Sequence, residues 1–438
     1  MLQPLEEMRK LFRVEDSTAN KVSYYHLAFF LMALPFDFFY SELILVSFAV
    51  HNLIHVKKEN LKNIFSRPVL LMISLFLLGA IAISYSPDKQ EGLNVTTRQL
   101  AILLFPVLLA ITGLDLEKYR MNLLLIFGFT CVGTVLYLYA EAVRTILYFG
   151  LKASSLFTTP FMNHNFSQPI GIHATYLSMY AAFSLLVFLY LLITQKKSPV
   201  TVFYVFCAVV LFAGLIQLSS RAVVIAFLMV INFGFTFFLF SGKRRWTFFL
   251  ITTLLSATTV AIIWNVDSFK TRYVSELKTD LTNNATIVEN FEPRLARWDA
   301  ITEIIKGSPL IGYGTGAEKK LLKEKYYEKQ LYISYLNEFN THNEYLGILV
   351  KTGLVGLLLF LYILYTGFAA AIRRKDLLFL SFMILVSVVA LSENVIELNK
   401  GIFFYAFFLS FFLGRVSPAA ALTGPSLPAG NPVLLKSV

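Results

Sequence analysis

Residues 339–371 read FNTHNEYLGILVKTGLVGLLLFLYILYTGFAAA. A polar stretch ends at His342–Asn343, and an apolar run carrying Gly353 and Gly356 then begins. A run of about 18–20 apolar residues is long enough to cross a bilayer as a helix, and this one continues to position 371. Similar runs recur along the chain. Their backbone must satisfy its own hydrogen bonds in lipid, and their length suits helices rather than barrel strands. The fold class expected is therefore all-α: a polytopic membrane protein.

Composition agrees. Of 438 residues, 57% are hydrophobic and 15% charged, with 42 Phe and a mean hydropathy of +0.66. Soluble proteins carry about a quarter charged residues. The pattern predicts about twelve helices, near 23–38, 40–56, 68–85, 98–113, 121–147, 173–194, 200–218, 221–241, 246–265, 342–371, 376–391 and 402–415. Pro35 and Asp37 interrupt the first pair. The formal charge of +11 sits in short loops such as Lys57–Lys58, Lys196–Lys197, Lys243–Arg245 and Arg373–Lys375, alternating with loops poorer in basic residues. That is the positive-inside pattern. It predicts a multi-pass protein with both termini cytoplasmic and needs no nucleic acid partner. No cleavable signal peptide is expected, since the first 22 residues are mixed and charged. Cys131 and Cys207 lie inside apolar runs and read as packing residues.

Four parts are expected: helices 1–9 over 1–265, a helical cap loop over 266–341, helices 10–12 over 342–415, and a disordered tail over 416–438. The cap loop holds eleven basic and eleven acidic residues. An anion site in it must therefore come from particular arginines and not from a general field. The spacing in LARWDAITEII predicts an amphipathic helix there.

Several polar residues could carry chemistry. His342 is either a satisfied interfacial histidine or a general base, since an ordinary imidazole can take a proton from a hydroxyl at neutral pH. Gly353 and Gly356 would let a neighbouring helix approach closely. Arg221 lies between two apolar runs with no acidic residue near it in sequence. It either snorkels to headgroups or binds an exogenous phosphate, which guanidinium grips in bidentate fashion. Arg294 shares a predicted helix face with Trp298, and Arg297 is adjacent to that tryptophan. Arg98, His173 and Asn343 are further candidates for substrate contact, each also readable as an ordinary polar residue at a helix start. Gly312, Gly314 and Gly316 in GYGTG read as tight turns rather than a phosphate loop, because the strand, helix and Lys–Ser/Thr of such a loop are missing. No Asp-x-Asp pair or His/Cys/carboxylate cluster appears, so neither a metal nor another cofactor is expected, and arginines would take a metal's electrostatic role.

These segments together resemble the O-antigen ligase and polymerase family of bacterial envelope glycosyltransferases. SSRAVVIAFLMV is similar to the family's Ser-Arg helix start. RLARW with PLIGYG resembles its Arg-x-x-x-Trp and Pro-Leu-x-Gly-x-Gly segment. HNEYLGILVKTGLVG fits His-Asn, nine residues, then Gly-x-x-Gly. IHATYLSMY resembles a His-Pro-Thr-Tyr helix start, with Ala174 in place of the proline. The resemblance spans roughly residues 86–365. It implies transfer of a glycan from an undecaprenyl diphosphate carrier at the periplasmic face of the bacterial inner membrane. The acceptor would be lipid A-core in a ligase and another carrier-linked glycan in a polymerase. His342 would be the base, and Arg221 and Arg294 would hold the diphosphate. A lipid or glycan transporter is the rival from another class, and would place ionisable groups at mid-membrane.

Overall fold

The computed structural model describes residues 9–36, 38–265, 267–280 and 292–414; the tail expected over 416–438 lies outside them. The described residues are helical and contain no strand. The main elements are α1 (Thr18–Ala33), α2 (Phe38–His55), α3 (Arg67–Ala82), α4 (Lys89–Arg98), α5 (Leu100–Ile111), α6 (Arg120–Tyr148), α7 (Ala174–Thr194) and α8 (Pro199–Leu218). They continue as α9 (Arg221–Met229), α10 (Gly242–Asn265), α11 (Arg294–Gly307), α12 (Glu318–Glu328), α13 (Glu344–Arg373), α14 (Leu377–Val389) and α15 (Asn399–Leu413). Every apolar segment expected from sequence contains a helix. By length and composition, seven helical stretches among the described residues can cross a membrane: Arg67–Tyr85, Lys89–Ile111, Arg120–Tyr148, Ala174–Thr194, Pro199–Leu218, Arg221–Leu239 and Glu344–Arg373.

α7 and α15 form the centre. From Gly401 to Leu413 every residue of α15 is buried, and a helix that is apolar all round belongs inside. Its aromatic rings build the core. Phe408 lies 4.9 Å from Phe183 and 5.3 Å from Phe127, ring centre to ring centre, and Phe404 lies 5.6 Å from Phe382. Tilted and edge-on pairs of this kind add about 0.5–1.5 kcal/mol each beyond area burial. The Phe-rich composition is thus spent on a core of interlocking rings between α6, α7, α14 and α15. The outer helices leave apolar side chains exposed, such as Leu53, Ile54 and Val202, as lipid-facing surfaces require.

α13 is broken at Gly353, whose φ of 61° and ψ of −158° leave the helical region. The segment Pro309–Gly314 fills the break. Tyr313 N donates to Val350 O and Gly314 N to Lys351 O, both at 2.9 Å, while Leu354 N donates to Pro309 O at 2.9 Å. A Cβ on Gly353 would meet the Leu310 carbonyl carbon at 2.4 Å. The close neighbour is therefore a loop and not the helix expected from the sequence, because a helix break frees backbone groups that only another backbone can pair. Gly356 would instead collide with its own Thr352 side chain. Gly312 and Gly314 have φ of 67° and 95°, so GYGTG is a pair of turns. Beyond them Thr315 Oγ1 donates to Gly79 O at 2.6 Å and Gly316 N to Ser86 Oγ at 3.1 Å, fixing this loop to the end of α3.

The segment between α10 and α13 has a small core of its own, with Ile301 and Ile304 of α11 against Leu322 and Tyr326 of α12 and Val350 of α13. Glu292 caps the short helix Tyr332–Leu336 by accepting from Ile333 N at 2.8 Å and Ser334 N at 2.9 Å. Lys351 ties this cap to the membrane helices through Glu318 of α12, at 3.3 Å, and Glu397 of the α14–α15 loop.

Candidate active site

His342 sits in the left-handed region, with φ of 43°. Histidine is among the few side chains that tolerate that conformation. The turn is held from both sides. Asn340 Oδ1 accepts from His342 N at 3.0 Å, and Thr341 Oγ1 donates to Asn343 O at 3.0 Å. Asn343 caps α13, its Oδ1 accepting from Leu346 N at 3.1 Å. The expected role of Asn343 in substrate contact thus meets a structural one: its side chain is committed to starting the helix.

The imidazole faces the loop between α14 and α15. Its Nδ1 lies 3.5 Å from Glu393 Oε2, and Glu393 Oε1 accepts from Thr175 Oγ1 at 3.5 Å. Burial by itself raises the Glu393 pKa. The hydrogen bond from His342 and the charges of His173 and Arg294 overcome that and hold it at about 2. Its neighbour Ser392 presents a carbonyl to Arg294 Nη1 at 2.9 Å. One residue further, Asn394 bonds Thr341 and accepts at its carbonyl from Tyr176 O–H at 2.9 Å. This loop is therefore the spine on which the candidate residues assemble.

Arg221 begins α9 two residues after Ser219, whose φ of 51° turns the chain sharply out of α8. No acid is near Arg221 in sequence, yet the fold supplies one. Arg221 Nη2 lies 2.5 Å from Asp280 Oδ2, and Arg294 Nε lies 3.7 Å from the same oxygen. The two arginines come from segments more than seventy positions apart and meet at one carboxylate, of which 5% is exposed. Arg221 Nη1 and Asp280 Oδ1 are buried without hydrogen-bond partners among the described residues. Arg221, with no acid near it in sequence, thus pairs with a distant aspartate, because contacts across the fold are invisible to sequence proximity.

Arg297 is buried, its guanidinium 5.2 Å from the Phe339 ring centre, and burial lowers its pKa. It packs behind the His342 turn. Trp298 donates from Nε1 to Thr341 O at 3.1 Å, which gives the Arg-x-x-x-Trp spacing a structural meaning: Arg294 reaches Asp280 and the Ser392 carbonyl while Trp298 braces the histidine turn.

His173 caps α7, its Nδ1 accepting from Thr175 N at 3.3 Å. The His164 ring lies edge-on to it, 4.2 Å away. Burial, then His173 and Arg272, push His164 down to about 4. Burial also lowers His173, against the pull of Glu393. Gln217 anchors the loop before them by donating to Leu156 O and Phe161 O at 2.7 and 2.5 Å. Arg98 lies apart from Arg221 and Arg294. It pairs with Glu91 at 3.3 Å, with 44% of its side chain exposed.

Sequence reading missed Glu393 and Asp280. The polar run SENVIELN between two apolar helices was a signal for the first; nothing marked the second. Among the described residues, no three His, Cys, Asp or Glu side chains group as metal ligands do. What the arrangement can do is bind an anion at two guanidiniums beside an imidazole oriented by a carboxylate.

No curated protein matches the chain. The family model described as O-antigen ligase matches residues 206–361, a stretch that includes Arg221, Arg294 and His342 and leaves Arg98, His173 and Glu393 outside. That stretch is about a third of the chain, and over it this membrane protein is similar to the O-antigen ligase family.

Proposed function

We propose that the protein is a ligase-type glycosyltransferase of the inner membrane, moving a glycan from undecaprenyl diphosphate to lipid A-core. In this reading twelve helices span the bilayer, and the site faces the periplasm. The observation that carries it is the adjacency of two arginines and a His–Glu pair along residues 392–393, with Arg294 on Ser392 and His342 on Glu393.

Arg221 and Arg294 bind the donor's diphosphate. They exchange Asp280 for it, and the unpartnered Arg221 Nη1 gains an acceptor. His342 keeps a proton on Nδ1 toward Glu393, which leaves Nε2 to take the proton of the acceptor hydroxyl. The acceptor oxygen forms a bond to the anomeric carbon as that carbon's bond to the diphosphate oxygen breaks. The electron pair leaves with the diphosphate, whose growing charge falls on the two guanidiniums. Removing one donor to such a developing charge typically costs about 10²–10³ in rate. A direct displacement inverts the anomeric centre. The guanidiniums carry the electrostatic role that a divalent ion plays in other diphosphate chemistry.

The test is reconstitution. Full-length protein, a polyprenyl-diphosphate glycan and lipid A-core are combined in detergent, and new glycosidic bonds are counted. The wild type forms them. His342→Ala loses about 10²–10⁴ in rate, the usual worth of a general base. Undiminished transfer by that variant sinks the base assignment. Product that grows on carrier-linked glycan, with lipid A-core untouched, makes the enzyme a polymerase instead.

A further inference from the structure

The donor reading uses one end of the α14–α15 loop. The other end borders a chain of cavities that it leaves unused. An apolar groove of about 740 Å³ lies between α1, α2 and α6, lined by Phe29, Met32, Phe36, Tyr40, Tyr137 and Ile170 among others. Phe36 and Ile170 also line a second cavity, of about 530 Å³, which contains Arg98, His173, Tyr176 and Lys400. None of the described residues lining that second cavity is acidic. Arg98 and Leu398 then line a third cavity, of about 350 Å³, with Asn340, Glu318 and Glu338.

The order is apolar, then cationic, then mixed polar, which is the order of a lipid chain, a phosphate and an oligosaccharide. Burial lowers the His173 pKa, so the fixed cations of the middle cavity at neutral pH are Arg98 and Lys400. Its wall reaches the reaction centre, because Tyr176 bonds Asn394 O at 2.9 Å, next to Glu393. The third cavity reaches it from the cap side through Asn340, whose Oδ1 binds His342 N. Gln99, beside Arg98, donates to Ile396 O at 2.9 Å. One loop thus carries a cation pair at each end, Arg221 and Arg294 near Ser392 and Arg98 and Lys400 near Leu398, with His342 and Glu393 between them. An enzyme that joins two anionic amphiphiles needs two such sites.

We propose that the cavity of Arg98 and Lys400 binds the phosphate of the lipid A-core acceptor, with its acyl region in the Phe36 groove and its oligosaccharide led along the Arg98–Asn340 cavity to His342. This rests on the glycosyltransferase reading and names its acceptor site. The long side chains of Arg98 and Lys400 give the phosphate charge-assisted contacts. The carboxylates and amide of the third cavity accept and donate to sugar hydroxyls.

Two measurements on the full chain in nanodiscs test it. In the transfer assay, Arg98→Gln and Lys400→Gln each raise the acceptor KM about tenfold, as loss of one ionic contact of about 1.4 kcal/mol requires, and leave the donor KM unchanged; Arg221→Lys does the reverse. A rise in donor KM for the Arg98 and Lys400 variants overturns the proposal. Arg98 is partly exposed, so its replacement keeps the fold even if that of Lys400 does not. Independently of turnover, a photo-reactive side chain at position 36 captures labelled lipid A-core, one at the lipid-facing position 202 does not, and Arg98→Gln abolishes the capture. Equal capture at both positions, or capture indifferent to Arg98, refutes the site. If the wild type binds at position 36 yet transfers nothing to any acceptor, the enzymatic reading fails while the lipid site stands.

Discussion

At the scale of single residues, Glu393 and Asp280 are the two carboxylates on which the candidate site turns. Glu393 has a carboxyl held at about 2, against an ordinary 4.5. Its folded-state pKa is depressed, so the stability it contributes is present above about 4.5 and is lost as pH falls toward 2. The difference corresponds to about 3 kcal/mol. Wild-type thermal stability, read by calorimetry in detergent, is expected to fall as pH drops from about 4.5 toward 2, and Glu393→Gln to flatten that fall. At neutral pH the same variant leaves His342 unoriented, and transfer falls about 10–100-fold, as for other groups that steer a functional histidine. A pH–stability curve identical to the wild type's would remove Glu393 from this role. Asp280 occupies both arginines. Asp280→Asn breaks a mostly buried ion pair, which costs about 3–5 kcal/mol and lowers Tm. It also removes an internal competitor for the donor, so the donor KM falls. A donor KM that stays at the wild-type value means that Asp280 remains paired with the donor bound.

At the scale of elements, the break in α13 ends the half-helix that begins beside His342. The first half of α13 runs from the Asn343 cap to Thr352, and the loop Pro309–Gly314 locks the break that follows. Nine residues between His-Asn and Gly-x-x-Gly are the length of that half-helix. Gly353→Ala must hold a left-handed backbone, at about 1–3 kcal/mol, and also push back Leu310. It is expected to lower Tm by several degrees and to reduce transfer far more than the distant position suggests. Gly133→Ala in α6 is the control. Nothing lies within 4 Å of a Cβ there, and alanine gains up to about 1 kcal/mol over glycine in a helix interior. Similar Tm values for the two variants would show that the break does not organise the site.

At the scale of the whole molecule, the basic loops and the cap are expected on opposite sides of the membrane. Both native cysteines are buried, so replacing them with alanine gives a background for labelling. A cysteine at Lys320, exposed on α12, is expected to react with an impermeant maleimide added to spheroplasts. One at Lys197, exposed between α7 and α8, is expected to react only after permeabilisation. The opposite pattern would invert the proposed orientation and place the site in the cytoplasm.

The sequence by itself determined the helical class and the position of nearly every helix, because apolar run length and charge placement are local properties that the membrane enforces. It also singled out His342 and Arg221, since a polar residue at the mouth of an apolar run is conspicuous, and Arg294, by its spacing to Trp298 on one helix face. Only the tertiary structure decided what those residues meet. Asp280 lies fifty-nine positions from Arg221, and Glu393 fifty-one from His342. Pairings over such separations depend on how helices pack and loops close, which no local pattern encodes. The same holds for Gly353, whose neighbour is a loop forty positions earlier, and for Arg98. Arg98 reads as one more snorkelling arginine until the fold sets it beside Lys400, at the far end of the loop that carries Glu393.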